Sequence, residues 1–160
     1  MKVIYAGSFD PVTKGHIDII NRALNIFGEV IVAVLNNNNK KGLFTVEERL
    51  DLLQKVLGNH PNIELDSFEG LLVDYANKKN CKTIIRGLRS ASDYESEYVL
   101  AMANKNYKEG IETLFLLASN DTLFVSSSLA KEVAYFGGDL ELFVPDIVGK
   151  AMKEKLWKGN

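Results

Sequence analysis

Tyr5-Ala6-Gly7-Ser8-Phe9-Asp10-Pro11-Val12-Thr13-Lys14-Gly15-His16 is the stretch on which the reading of this chain turns. Just before it, residues 3–6 form an apolar run too short for a helix. Just after it, Ile17, Ile20, Leu24 and Phe27 recur at helical spacing. The stretch therefore carries a buried strand through a turn into an amphipathic helix. At a helix start the free backbone N–H groups and the positive end of the dipole favour anions, and glycines such as Gly7 and Gly15 let the backbone approach a ligand closely. Ser8, Thr13, Lys14 and His16 add four side chains able to hold phosphate. Neither the Walker pattern nor the dinucleotide glycine fingerprint is present. Gly, Pro and Asp are also ordinary turn formers, so the loop alone defines a phosphate-capable turn and nothing narrower.

Outward from this turn the same alternation repeats. Further short apolar runs lie at residues 30–35, 63–65, 83–85, 113–118 and 140–144, and each reads as a buried strand. Between them Leu50, Leu53 and Leu57 share a helical face, as do Leu72, Tyr75 and Ala76, and then Tyr98, Met102 and Ala103. Thr45-Val46-Glu47-Glu48 and Ser92-Asp93-Tyr94-Glu95 match the capping box that opens a helix. Pro145-Asp146 precedes a last helix over 147–157, and Gly28, Gly58 and Gly137-Gly138 fall where helices end. Residues 36–39, all asparagine, read as a loop before Lys40-Lys41-Gly42. The pattern predicts one α/β, Rossmann-like domain over 1–160, a parallel sheet of about five strands with helices on both faces, and a ligand site at the carboxyl edge of the strands.

Bulk properties agree with a globular chain. At 160 residues it can bury a core without staples, and 46% hydrophobic with 25% charged residues is ordinary for such domains. A net charge of -2 argues against a protein that coats nucleic acid, which needs clustered cations. Cys81 is the only cysteine, so no intramolecular disulfide forms and a reducing compartment is expected. No stretch approaches the ~20 apolar residues of a membrane span, and the expected location is the cytoplasm.

Three more segments carry chemistry. Arg86-Gly87-Leu88-Arg89 leaves the end of a strand, which puts two guanidinium forks at the edge where ligands bind, although a solvated pair would look the same. Val125-Ser126-Ser127-Ser128 precedes another helix and offers three hydroxyls at an anion-ready start, where one serine is expected as a cap in any case. Lys40 and Lys41 follow the second strand as mobile point charges, and Glu97 reads as a surface carboxylate between Tyr94 and Tyr98.

Together these motifs resemble the nucleotidylyltransferase superfamily, in which a T/H-x-G-H loop and a serine-rich loop flank a triphosphate; here they are Thr13-Lys14-Gly15-His16 and Val125-Ser126-Ser127-Ser128. Within it the chain is most similar to the bacterial phosphopantetheine adenylyltransferase family. The similarity runs through Tyr5 to Pro11, Lys40-Lys41, Phe44-Thr45-Val46-Glu47-Glu48-Arg49, Ile85-Arg86-Gly87-Leu88-Arg89, Asp93-Tyr94-Glu95 and Ser126-Ser127-Ser128-Leu129-Ala130-Lys131-Glu132. It implies transfer of the adenylyl group of ATP to 4'-phosphopantetheine, giving dephospho-coenzyme A and pyrophosphate, in a homohexamer, with coenzyme A as a candidate inhibitor. It also implies roles for residues: His16 and Lys40 catalytic; Ser8, Phe9, His16, Gly87, Leu88, Arg89, Glu97, Thr122, Leu123, Phe124, Val125, Ser126, Ser127 and Ser128 at ATP; Ser8, Lys40, Leu72 and Arg86 at the acceptor. Thr122-Leu123 departs from the aromatic-serine pair that many relatives carry there.

The residue chemistry fits a reaction without a general base. A phosphate monoester has a second pKa near 6 and arrives as an anion at neutral pH. The enzyme's task is then positioning and neutralising charge on the α-phosphoryl group, which falls to His16 and Lys40, while Arg86 positions the acceptor and Arg89 with the serine loop grips pyrophosphate. Mg2+ is expected on the phosphates with its waters, with no ligand from protein side chains. Two other readings stand beside this one: a superfamily member with a different acceptor, and a non-catalytic nucleotide sensor.

Overall fold

The computed structural model describes residues 1–37 and 41–157 of the chain. Five strands, β1 (Lys2–Gly7), β2 (Glu29–Leu35), β3 (Ile63–Phe68), β4 (Thr83–Leu88) and β5 (Glu112–Leu117), form one parallel sheet in the order β3-β2-β1-β4-β5. The helices between and after them are α1 (Lys14–Phe27), α2 (Val46–Leu57), α3 (Leu72–Lys78), α4 (Ala91–Tyr107), α5 (Ser127–Tyr135) and α6 (Asp146–Trp157). Parallel strands need crossovers, and helical crossovers cover both faces of the sheet. The period-two alternation of β1 and β2 divides the core accordingly. Val3, Tyr5, Val30, Val32 and Val34 pack with Ile20, Leu53 and Met152 on one face. Ile4, Ala6, Ile31 and Ala33 meet Val73 and Ala76 of α3 on the other.

Helix boundaries follow local chemistry. Thr45 accepts from the Glu48 N–H while the Glu48 carboxylate accepts from the Thr45 N–H, the reciprocal box expected from the sequence. Gly28 ends α1 at φ 89°, a left-handed conformation that a Cβ would oppose. At α4 the cap lies two residues earlier than expected: Ser90, not Ser92, accepts from the Asp93 N–H, because Ser90 still has extended backbone and Ser92 is already helical.

One predicted strand is absent. Residues 140–144 are a turn in which the amides of Phe143 and Val144 both donate to the Leu140 carbonyl and the Phe143 carbonyl accepts from the Lys14 N–H at the start of α1, so these groups are spent outside the sheet. The apolar pattern there reflects packing under α6: Leu140 and Val144 are buried with Val148 and Met152, whereas Leu142 faces out. The face of Tyr98, Met102 and Ala103 is likewise helical but not buried, and α4 buries no residue at all. Among the described residues, no helix is long and apolar enough to cross a membrane.

The turn gives a paired expectation. Leu140→Ala removes a side chain that is 3% exposed and should cost about 2–5 kcal/mol, whereas Leu142→Ala, at 65% exposure, should stay within about 0.5 kcal/mol. Urea denaturation of both variants checks it, and equal costs would show that the segment is not seated as described.

Candidate active site

The sheet opens where its order reverses. β1 follows β2 through six paired positions but follows β4 through only two, Ile4 with Ile84 and Tyr5 with Ile85. Beyond Tyr5 the two strands part, and the switch point of such a sheet is where ligands sit. Two cavities occupy the opening. One, of about 280 Å³, is lined by the first turn, β4 and the start of α5, with His16, Arg86, Arg89, Thr122 and Ser126 to Ser128 among its walls. The other, of about 340 Å³, is walled mainly by apolar side chains including Leu35, Phe68, Leu71, Leu72 and Leu100. Ala6, Gly7, Ser8, Arg86 and Glu97 border both.

His16 occupies the third position of α1, where it completes a capping box with Thr13. Its Nδ1 accepts from the Thr13 N–H at 3.0 Å, and the Thr13 hydroxyl lies 3.1 Å from the same atom. An accepting Nδ1 puts the single proton of a neutral ring on Nε2. Burial first, and then the charges of Arg89 and Arg86, push the imidazole pKa down to about 4, so at neutral pH the ring is an uncharged Nε2–H donor. Phe9 stacks edge-on against it with centroids 4.9 Å apart.

The two arginines are held from α4. Arg86 donates from Nε to Glu97 Oε2 at 2.7 Å, from Nη2 to Glu97 Oε1 at 2.5 Å, and from Nη1 to the Ala6 carbonyl at 2.6 Å. A guanidinium has five N–H donors, so two remain for an anion. Arg89 pairs in the same forked way with Asp93, one helical turn before Glu97, and reaches the Val125 carbonyl at 3.3 Å. Glu97 is therefore part of a bidentate pair, not the solvated carboxylate that its setting between two tyrosines implies.

At the start of α5 the three serines differ. Ser126 caps the helix by accepting from the Leu129 N–H, and Ser127 donates its only hydroxyl proton to the Pro11 carbonyl at 2.8 Å. Ser127 therefore has its backbone N–H, not its hydroxyl proton, to offer an anion. Ser128 keeps its hydroxyl proton among the described residues.

Asp10 ties these parts together. Its carboxylate, 5% exposed, accepts from the amides of Leu43 and Phe44 at 2.9 Å each and from Lys131 Nζ at 3.2 Å, and faces Arg49 Nε at 3.6 Å. Arg49 in turn donates to the carbonyls of Phe44 and Ser8. Burial raises the Asp10 pKa, but the two amides and Lys131 outweigh it and the net shift is downward. A Cβ on Gly42 would strike the Arg49 guanidinium, which explains a glycine beside this junction. Phe9 sits at φ 47°, an uncommon conformation for a bulky residue that its complete burial holds in place.

The structure thus brings together most of the residues singled out in the sequence and separates several. Ser8, His16, Arg86, Gly87, Arg89, Glu97, Thr122, Val125, Ser126, Ser127 and Ser128 line the polar cavity, and Leu72 lines the apolar one. The rings and side chains of Phe9 and Leu88 are buried in the protein, Leu123 is turned partly to solvent, and Phe124 packs on Phe143, so none of these four walls the cavity. Lys40 lies outside the described residues. Missed in the sequence were Asp10 as a junction, Asp93 as the Arg89 anchor, and Tyr5 as a cavity wall. The spacing of Arg86, Arg89, Asp93 and Glu97 carried a signal for the anchors, but only once β4 and α4 are known to be adjacent. Cys81 is buried against the Lys2 carbonyl, its thiol pKa raised by that burial, and plays no part in the cavities. Among the described residues no group of three or more His, Cys, Asp or Glu converges as a metal would require.

An open parallel sheet with a cation- and hydroxyl-lined cavity at its switch point is the framework of nucleotidyltransferases. Nicotinic acid mononucleotide adenylyltransferase of Plasmodium falciparum, solved in complex with NaAD, superposes with a TM-score of 0.70 over 99% of this chain and 98% of that one; at 16% identity this speaks for the fold alone. The Cytidylyltransferase-like family model matches residues 4–133. Phosphopantetheine adenylyltransferase of Caldanaerobacter subterraneus subsp. tengcongensis is 53% identical, covering 97% of both chains, and that of Carboxydothermus hydrogenoformans is 51% identical, covering 97% of this chain and 96% of its own. The chain belongs to the Cytidylyltransferase-like family and, within it, to the phosphopantetheine adenylyltransferases.

The depressed His16 pKa has a definite sign. Above about 6.5 neither the folded nor the unfolded state protonates the ring. As pH falls from there toward about 4 the unfolded chain takes up the proton first, so stability declines across that window and levels off below it. An NMR titration of the His16 ring should give a midpoint near 4, and a midpoint at or above 6 would overturn the neutral-donor assignment.

Proposed function

We propose that this chain transfers the adenylyl group of ATP to 4'-phosphopantetheine, forming dephospho-coenzyme A and pyrophosphate, the penultimate step of coenzyme A biosynthesis. The observation that carries the reading is the pair of cavities meeting at Gly7, Ser8, Arg86 and Glu97: a polar one suited to a triphosphate and an apolar one suited to an uncharged pantetheine arm. The names of the close relatives supply the identity of the acceptor.

In this scheme the acceptor phosphate, held by the two unspent N–H groups of Arg86, attacks the α-phosphorus of ATP in line. A bond forms between its oxygen and that phosphorus, the bond to the bridging oxygen of the β-phosphate breaks, and the electron pair leaves with pyrophosphate. His16 Nε2–H donates to the α-phosphoryl oxygens, where negative charge must be stabilised, and Lys40 is the second donor in the proposal. Arg89 and the free N–H groups of the first turn of α5 receive the leaving pyrophosphate. No side chain needs to take a proton. Mg2+ would ride on the phosphate oxygens with its waters, since the cavity carboxylates Asp93 and Glu97 are engaged by Arg89 and Arg86; bound so, it would offset phosphate charge.

Exposed apolar side chains on α4, among them Tyr94, Tyr98, Val99, Met102 and Tyr107, support self-association of the chain, and the resemblance to the family makes a homohexamer the proposed form. Coenzyme A shares the pantetheine arm and belongs in the apolar cavity as an inhibitor. The cytoplasm is the proposed compartment.

Two measurements test the scheme. Pyrophosphate release should be fastest with ATP and 4'-phosphopantetheine among a panel of nucleotides and phosphate acceptors, and His16→Ala should lower turnover about 10²- to 10³-fold while ATP still binds. Silence with that substrate pair sinks the reading, and near-normal turnover of His16→Ala removes the histidine from it. Light scattering after size exclusion should give about six times the 17.8 kDa of one chain, and a monomer would refute the hexamer.

A further inference from the structure

Tyr5 is the last residue of β1 that still pairs with β4 before the strands separate. Its side chain is 7% exposed and walls the polar cavity but not the apolar one. The ring packs edge-on against Phe9, with centroids 5.5 Å apart, and lies 6.3 Å from the His16 ring. A phenylalanine would make those contacts equally well. The hydroxyl has no such explanation. No described residue bonds to it, and since no fully buried side-chain oxygen or nitrogen among the described residues lacks a partner, the hydroxyl is open to the polar cavity that Tyr5 lines. It ends beside the Cα of Gly87, where a Cβ would stand 3.7 Å away, and shares the cavity wall with Arg86 and Arg89.

We propose that the Tyr5 hydroxyl is a nucleotide contact, donating its proton to an oxygen of ATP seated in the polar cavity. This rests on the reading of that cavity as the ATP site. The direction of the bond follows from the ionisation state. Burial holds the phenol pKa above its ordinary value even though Arg86 and Arg89 pull it down, so the group stays protonated at every working pH. The ligand side follows from placement: the acceptor cavity does not include Tyr5. With its hydroxyl at the level of Gly87, the residue faces the part of the nucleotide that lies against β4, where both a ribose hydroxyl and a phosphate oxygen offer the same acceptor chemistry.

Tyr5→Phe removes that hydroxyl and nothing else. Because no protein bond is lost, unfolding without ligand should be unchanged, while the rise in melting temperature on adding ATP should shrink. Calorimetric titration should show ATP binding weakened about tenfold, the size expected for losing one hydrogen bond to a ligand, and the KM for the acceptor should hold. Repeating the titration with 2'-deoxy-ATP and 3'-deoxy-ATP locates the acceptor. A difference between wild type and variant that vanishes for one analogue places the bond on that ribose hydroxyl, and a difference kept for both places it on phosphate. ATP affinities within twofold of each other in the two proteins would overturn the proposal. So would a fall in ligand-free stability with ATP affinity intact, since the hydroxyl would then serve the fold. Direct binding separates the two ideas: a wild-type protein that binds ATP but is inactive with phosphopantetheine defeats the proposed reaction and leaves Tyr5 to be judged on affinity.

Discussion

The carboxylate of Asp10 is the junction through which three separate segments become one site. The turn after β1 contributes Asp10 itself, the segment before α2 contributes the amides of Leu43 and Phe44, and α5 contributes Lys131. Ser127 and Arg49 add bonds to the carbonyls of Pro11 and Ser8, so the loops that wall the polar cavity are tied to one another. A buried anion is tolerable only when its lone pairs are filled, and here two amides and two cations fill them. That arrangement also settles what Lys131 is for. A lysine at the start of a serine-rich helix invites assignment to phosphate, but its charge is already met from below.

The charges that do face the ligand are held in advance. Asp93 and Glu97, one turn apart on α4, grip Arg89 and Arg86 by their forks and leave the remaining donors aimed at the cavity. Such pairs offset the charge of the arginines and fix the guanidinium planes, so little ordering would remain for an anion to impose. His16 follows the same logic without a charge. Its backbone bond at Nδ1 fixes the tautomer, and burial beside two arginines keeps the ring neutral.

How much of this could be read from the chain depends on the range of the interaction. The alternation of apolar runs and helical faces is local, and it yielded the sheet, the helices and the Thr45 cap. The same local rule failed at residues 140–144, where an apolar run packs under a helix through a turn, and at Ser92, where a second serine two residues earlier takes the cap. The residues that line the polar cavity were legible because Gly, Ser, His and Arg cluster at strand ends. Asp10, Asp93 and Tyr5 were not, since their roles depend on partners 33 or more residues away for Asp10 and on which strand faces which helix for the others. Phe9 and Leu88 sit inside recognisable motifs yet are buried, Leu88 because alternate residues of β4 face opposite ways and Phe9 because the turn after β1, left-handed at that residue, packs its ring against Tyr5 and His16.

The parting of β1 and β4 after Tyr5 has a consequence of its own. β1 is laced to β2 along six paired positions but to β4 at two only. Beyond them a side chain takes the place of the ladder, since the Ala6 carbonyl accepts from Arg86 Nη1. A ligand that binds the folded chain and not the unfolded one stabilises the fold by mass action, so binding in this opening would raise the stability of the sheet that frames it. Substrate supply and stability are in that sense linked: the chain would be hardest to unfold when that opening is occupied.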